Sequence, residues 1–137
     1  INNAFGPKVS NITLTRAAGT VTEGGSSANE FDAIQFKKEG NGEYTNVVIS
    51  GYTTSNTTLT ATAVRIQDKS TNDNQVTGGK IKMLNVKIND GTSQFAGVGT
   101  TFTVAFPTGN YTTSTTATGA TLTAGAWAIV DGVSLIK

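Results

Sequence analysis

A six-residue phrase recurs three times along this 137-residue chain. Ser10-Asn11-Ile12-Thr13-Leu14-Thr15, Thr45-Asn46-Val47-Val48-Ile49-Ser50 and Leu84-Asn85-Val86-Lys87-Ile88-Asn89 share the form x-Asn-[Ile/Val]-x-[Ile/Leu]-x. Their starts lie 35 and then 39 residues apart. A second phrase interleaves with the first: Ala33-Ile34-Gln35-Phe36 and Ala63-Val64-Arg65-Ile66, 30 residues apart. Self-similarity at such periods is how repeat architectures read. Alternate residues of a strand face one way, so each phrase offers a short strand with one apolar face. Stacked turns of chain join those faces into a continuous core. Asparagines stacked at a corner can hydrogen-bond side chain to backbone along the stack. The pattern predicts an all-β chain, favouring a β-solenoid. An antiparallel sandwich (Greek key or jelly roll) uses alternating strands of the same length and stays open as the alternative.

The rest of the chain agrees with strands and turns. Apolar runs fall at Val9 to Thr15, Phe31 to Phe36, Thr45 to Ser50, Thr62 to Gln67, Gly79 to Asn89, Phe102 to Phe106 and Ala126 to Ile136. None carries a 3.6-residue apolar period. The Gly79–Asn89 run alternates through Ile81 and Met83, then slips phase to Val86 and Ile88, as a bent or bulged strand would. Turn-forming clusters separate the runs at 24–27, 40–42, 70–74, 78–79, 89–91, 109–110 and 131–132. The sequence reads as one all-β domain over 1–137, with 91–125 Thr/Gly-rich and less regular.

Composition removes whole classes of chemistry. The chain has no His and no Cys. That excludes disulfides, thiolate metal sites, Cys nucleophiles and Ser-His-Asp triads. A net charge of +1 gives no electrostatic reason to bind nucleic acid. No apolar run is long enough for a membrane helix, so no membrane insertion is expected. Thr, Asn and Gly abound at 25, 12 and 16 residues, suiting strands, corners and turns.

Residues 4–91 resemble the C-terminal part of secreted right-handed β-helix surface proteins of the Bacteroidetes, the type IX secretion cargo type. The resemblance rests on Pro7-Lys8-Val9-Ser10-Asn11-Ile12-Thr13-Leu14, on Asp32-Ala33-Ile34-Gln35-Phe36-Lys37-Lys38, and on Glu43 through Gly51. Ala63-Val64-Arg65-Ile66-Gln67-Asp68 and Gly79 through Ile88 follow in the same order. It implies a right-handed parallel β-helix, secretion to the cell surface and no assigned catalytic role. Its motifs are structural.

Candidate site residues are few. Asp68, Asn72 and Asp73 offer oxygens of the kind calcium prefers, though without EF-hand spacing, so a bound calcium is the only cofactor considered. The plainer reading is a polar loop. Tyr44 and Tyr52 flank one strand and are the glycan-stacking candidates; the plainer reading makes them caps of the core with wet hydroxyls. Glu30 and Asp32 stand two apart and would share a strand face, which suits glycosidase acid/base chemistry. A solvated strand edge is preferred for them. Arg65 lies in no recognisable acidic cluster, against lyase chemistry. Thr-x-Thr phrases occur at irregular intervals, unlike an ice-binding lattice. Trp127 reads as core. Asn11, Asn56 and Asn110 head Asn-x-Ser/Thr sequons, expected by chance in such a composition.

The expected function is a non-catalytic, secreted or cell-surface structural or adhesive domain. Alternatives are a self-assembling fibre subunit that exchanges its N-terminal strand (Ile1–Phe5), and a carbohydrate-binding module. Expected partners are copies of itself, a longer parent chain or surface glycans.

Overall fold

The computed structural model describes residues 6–16, 32–52, 62–89, 93–97, 102–121, 129–130 and 133–134, with main chain alone at 93–97, 129–130 and 133–134. Nine strands lie among them: β1 (Lys8–Thr15), β2 (Ile34–Phe36), β3 (Gly42–Ser50), β4 (Thr62–Ile66), β5 (Ile81–Ile88), β6 (Ser93–Gly97), β7 (Tyr111–Thr113), β8 (Ile129–Val130) and β9 (Val133–Ser134). Sheet A has the order β1-β3-β5-β7 and sheet B the order β2-β4-β6. The chain therefore visits the two sheets alternately, advancing one strand in each sheet at every visit. All pairings within both sheets are parallel. The antiparallel sandwich does not describe them; only the small β8–β9 pair is antiparallel. Parallel neighbours need long crossovers, and the 27- to 39-residue spacing supplies them.

The repeated phrases set the register. Ile12 pairs with Val47 and Val47 with Val86; Leu14 pairs with Ile49 and Ile49 with Ile88. In sheet B, Ile34 pairs with Val64 and Phe36 with Ile66. Val47, Ile49, Val64, Ile66, Ile81, Met83 and Val86 are fully buried in one cluster. Each contributes about 1.5–3 kcal/mol through burial. All five residues of β4 are buried, as befits a parallel strand covered on both faces.

Asn11, Asn46 and Asn85 all have positive φ, at 58°, 57° and 58°. This left-handed conformation is costly for most side chains but tolerated by Asn. It interrupts the two-residue alternation, so Ile81 and Met83 face the core and then Val86 does. The phase slip in the sequence is this corner. β7 lacks an Asn, and the β5–β7 register shifts between Met83 and Val86.

Two local readings need correction. Ser70–Asn74 is helical, not a turn cluster: α1 (Lys69–Thr71) runs into a π-helical turn (Asn72–Val76). Its buried residues are Thr71, Asn72, Gln75 and Val76, so a mostly polar inner face hid it from an apolar-period search. Phe102–Phe106 is not a strand, although Val104 is buried and Phe102 and Phe106 pack on the core. The 91–125 region supplies β6 and β7. Trp127 and the Ile1–Phe5 segment lie outside the described residues.

Candidate functional site

Polar side chains gather at three places, each joining segments 30 or more residues apart in the chain. The first is the asparagine column of sheet A. Asn46 Nδ2 donates to Asn11 Oδ1 at 2.8 Å, and Asn85 Nδ2 donates to Asn46 Oδ1 at 3.5 Å. The Thr112 hydroxyl ends the column by accepting the Asn85 N–H at 2.9 Å. A strap of chain, residues 114–121, then runs back across the column. Ser114 N–H donates to the Val86 carbonyl of β5. Thr118 and Gly119 N–H donate to Asn46 Oδ1 of β3 at 2.9 and 3.2 Å. Ala120 N–H donates to Thr13 Oγ1 of β1 at 2.9 Å. Gly119 has φ 67°, and a Cβ there would collide with Thr13 Oγ1 and crowd the Ile12 carbonyl. Only glycine allows the strap to lie this close.

The second cluster is buried beside sheet B. Asp32 and Arg65 form an ion pair with side chains 1% and 3% exposed. Arg65 Nε and Nη2 donate to the two Asp32 oxygens at 2.6 and 3.0 Å. Thr62 adds its N–H and its hydroxyl to Oδ1, both at 2.8 Å, and Gln35 Nε2 reaches Oδ2 at 3.3 Å. Gln67 Nε2 continues the network to Gln35. Asp32 is thus no solvated strand edge, and Arg65 does meet an acid. Five donors occupy the carboxylate. Glu30 lies outside the described residues.

The third cluster joins the turn at 37–40 to the helical segment. Lys38 and Glu39 both have positive φ, at 51° and 64°, and Gly40 N–H closes the turn on the Lys37 carbonyl. Two consecutive non-glycine residues in this conformation are strained. The helical segment offsets the strain: Lys38 N–H donates to Asp68 Oδ2 and Glu39 N–H to Thr71 Oγ1, each at 2.9 Å. Ser70, Asn74 and Gln75 hydrogen-bond the Glu39 carboxylate. Hydrogen bonds from Ser70, Gln75 and Asn74, in that order of size, hold Glu39 below the usual carboxylate range.

The calcium candidates fall in this third cluster with separate tasks. Asp68 caps α1, accepting from Thr71 N–H at 2.8 Å and from its hydroxyl at 3.0 Å. Partial burial opposes ionisation of Asp68, but bonds from Thr71 and Lys38 outweigh it and keep the pKa low. Asp73 pairs with Lys69, which lowers its pKa. Asn72 Oδ1 is buried without a hydrogen bond. No three Asp, Glu, His or Cys side chains come together as a metal site among the described residues.

Tyr44 and Tyr52 are half-buried against the core. Tyr44 meets Phe36 edge to face with centroids 5.5 Å apart, and burial raises its pKa. Both tyrosines thus spend ring surface on the fold. Tyr111 packs on Phe106 at 5.3 Å, and burial pushes its phenol up to about 12. An open groove lies between Val86–Asn89 and Thr113–Thr115, where the strap leaves sheet A. Among the described residues no helix is long and apolar enough to cross a membrane. Of the sequon asparagines, Asn11 belongs to the column, Asn110 sits in a turn before β7, and Asn56 lies outside the described residues. Sequence reasoning missed the strap and the Asp32–Arg65 pair. The pair had one available signal: Asp32 and Arg65 flank or lie within successive copies of the same Ala-[Ile/Val] phrase.

No protein-family model, no curated protein and no solved structure matches this chain.

Proposed function

We propose that the chain is a segment of right-handed β-solenoid that serves as a non-catalytic structural or adhesive scaffold outside the cell. The observation that carries the reading is the alternation of one chain between two parallel ladders, with the Asn11–Asn46–Asn85 column in register across three turns. Parallel crossover connections are almost always right-handed, which gives the hand. The polar clusters support a scaffold because their donors and acceptors are spent on neighbouring turns. The Asp32 carboxylate has five protein donors and Asp68 has three. The resemblance to secreted β-helix surface proteins supports the extracellular setting.

Pulling the chain from both ends tests the stack. A solenoid yields turn by turn, in steps of roughly 12 nm for the 35- or 39-residue spacing at the length of extended chain. A single rupture of the whole chain counts against it. Incubation with a panel of polysaccharides should release no product; any turnover lost in Asp32→Asn would overturn the non-catalytic reading.

A further inference from the structure

We propose that the joint between the turn at 37–40 and the helical segment at 69–76 is an acid-released clasp: protonation of Glu39 and Asp68 parts the turn from the segment while sheets A and B stay paired. The inference needs only the contacts of this joint and is independent of the scaffold reading. The turn leads from β2 to β3, and the segment lies between β4 and β5. Main-chain bonds, which do not titrate, hold the segment at its two ends. Gln67 N–H donates to the Phe36 carbonyl at 2.9 Å. Gly79 and Lys80 N–H close the far end on the Val76 and Gln75 carbonyls at 3.0 and 2.8 Å.

Across the joint the main acceptors are carboxylates. Lys38 N–H ends on Asp68, while Ser70, Asn74 and Gln75 end on Glu39. The Thr71 hydroxyl accepts Glu39 N–H and is itself oriented by donating to Asp68. One neutral contact, from Asn41 Nδ2 to Gln75 Oε1 at 2.9 Å, is left in acid.

A carboxyl that gains a proton becomes a donor at one oxygen. On Asp68 that sets a donor against a main-chain N–H, of Thr71 at Oδ1 or of Lys38 at Oδ2. On Glu39 it sets a donor against a carboxamide, of Asn74 at Oε1 or of Gln75 at Oε2. The turn then has reason to leave, because Lys38 and Glu39 are strained at positive φ and their captured N–H groups hold them there.

The charged groups of the turn are Lys37, Lys38 and Glu39; those of the segment and its cap are Asp68, Lys69 and Asp73. The Asp68 charge repels that of Glu39, which favours proton uptake. Asp73 bonds Lys69 and Asn72 inside the segment and does not cross the joint. Glu43, the acid of β3, is engaged with Lys8 and Lys82. Hydrogen bonds from Ser70, Gln75 and Asn74 hold Glu39 below its ordinary 4.5. Asp68, against its partial burial, is held below 3.8 by bonds from Thr71 and Lys38. The released groups bind protons more tightly than the clasped ones. The clasp is therefore shut above these ordinary values and gives way as pH falls below them. The asparagine column is neutral, and the ladders run between main-chain groups. Asp32 is the acid beside sheet B, and loss of its pair would register in β4 rather than in the turn.

The test follows the backbone amides of the whole isotope-labelled chain by NMR from about pH 7 to about pH 2.5, a span that covers carboxylate titration. Lys38, Glu39 and Gly40 should shift and lose exchange protection by roughly 10-fold, as for one charge-assisted hydrogen bond, while Val47, Val64, Ile66 and Val86 keep theirs. Glu39→Gln combined with Asp68→Asn should put the turn amides at their acid positions already at neutral pH and remove their titration. Glu39→Gln alone, the milder variant, should move them part of the way. Asp73→Asn should leave the transition where it is. A single transition shared by the turn and both sheets would overturn the proposal, because that is ordinary acid unfolding. Turn amides that stay put throughout the titration would also overturn it, as would an unchanged titration in the Glu39→Gln chain or its loss in Asp73→Asn.

Discussion

The asparagine column of sheet A and the ion pair beside sheet B both tie together segments more than 30 residues apart, by opposite means. The column is neutral, repeated in three strands, and partly open to water. The ion pair is charged, occurs once, and is almost wholly dry. A neutral amide near water loses little when its partner goes, because water replaces the partner. A buried charge left alone has no such substitute. The column therefore fixes register by repetition at low risk, whereas Asp32–Arg65 fixes it by a single high-stakes contact.

The comparison is most exposed to Asp32→Ala. Removing the carboxylate that faces the buried Arg65 guanidinium should cost about 3–5 kcal/mol, read as a shift in the denaturant midpoint. The double replacement Asp32→Leu with Arg65→Met should recover most of that loss, because two apolar groups need no partner. If the double variant is no better than the single one, the pair contributes more than relief of an orphaned charge. Next is Gly119→Val, which forces a side chain onto Thr13 and the Ile12 carbonyl at positive φ. A loss of roughly 1–3 kcal/mol is expected, with faster amide exchange at Thr118–Ala120 and little change at Thr62–Ile66.

Asn46→Ala against Asn46→Gly separates conformation from hydrogen bonding in the column. Alanine loses both the left-handed preference and the amide; glycine loses only the amide. The difference should be about 1 kcal/mol in favour of glycine. Equal losses would show that the corner imposes no conformational demand. The smallest effect is expected at high pH. Tyr111 holds its proton more tightly in the fold, with a pKa of about 12 against 10.0. Between those values the folded state binds more protons than the unfolded one, so stability falls as pH rises through the window. The loosening should begin at β7 and be reduced in Tyr111→Phe, as followed by amide exchange.

Much of sheet A was legible because its information is local and repeated. x-Asn-[Ile/Val]-x-[Ile/Leu] carries the corner, the inward pair and the register in six residues, and the Ile81/Met83/Val86 slip even marks the bend. The clusters were less legible because their partners are distant and unrepeated. Nothing near Asp32 announces that Arg65, 33 residues on, will fill its carboxylate. Glu39 and Lys38 look like an ordinary charged stretch until the helical segment supplies Asp68 and Thr71 to hold their main chain. That helical segment escaped notice because it buries Thr71, Asn72 and Gln75, residues that no hydrophobic pattern flags.

The strap has a bearing on the order of events in folding. Contacts between successive strands span 27 to 39 residues, but the strap bonds Asn46 across 72 and 73 residues and Thr13 across 107. Long closures are slow, because chain entropy is lost before the contact rewards it. Neighbouring strands can zip while the strap is still remote. During synthesis from the N-terminal side, β1 and β3 would wait with the Asn46 oxygen half-satisfied until Gly119 arrives. Closure of the strap is then a completion signal: it latches the earliest turns only once the later ones are in place.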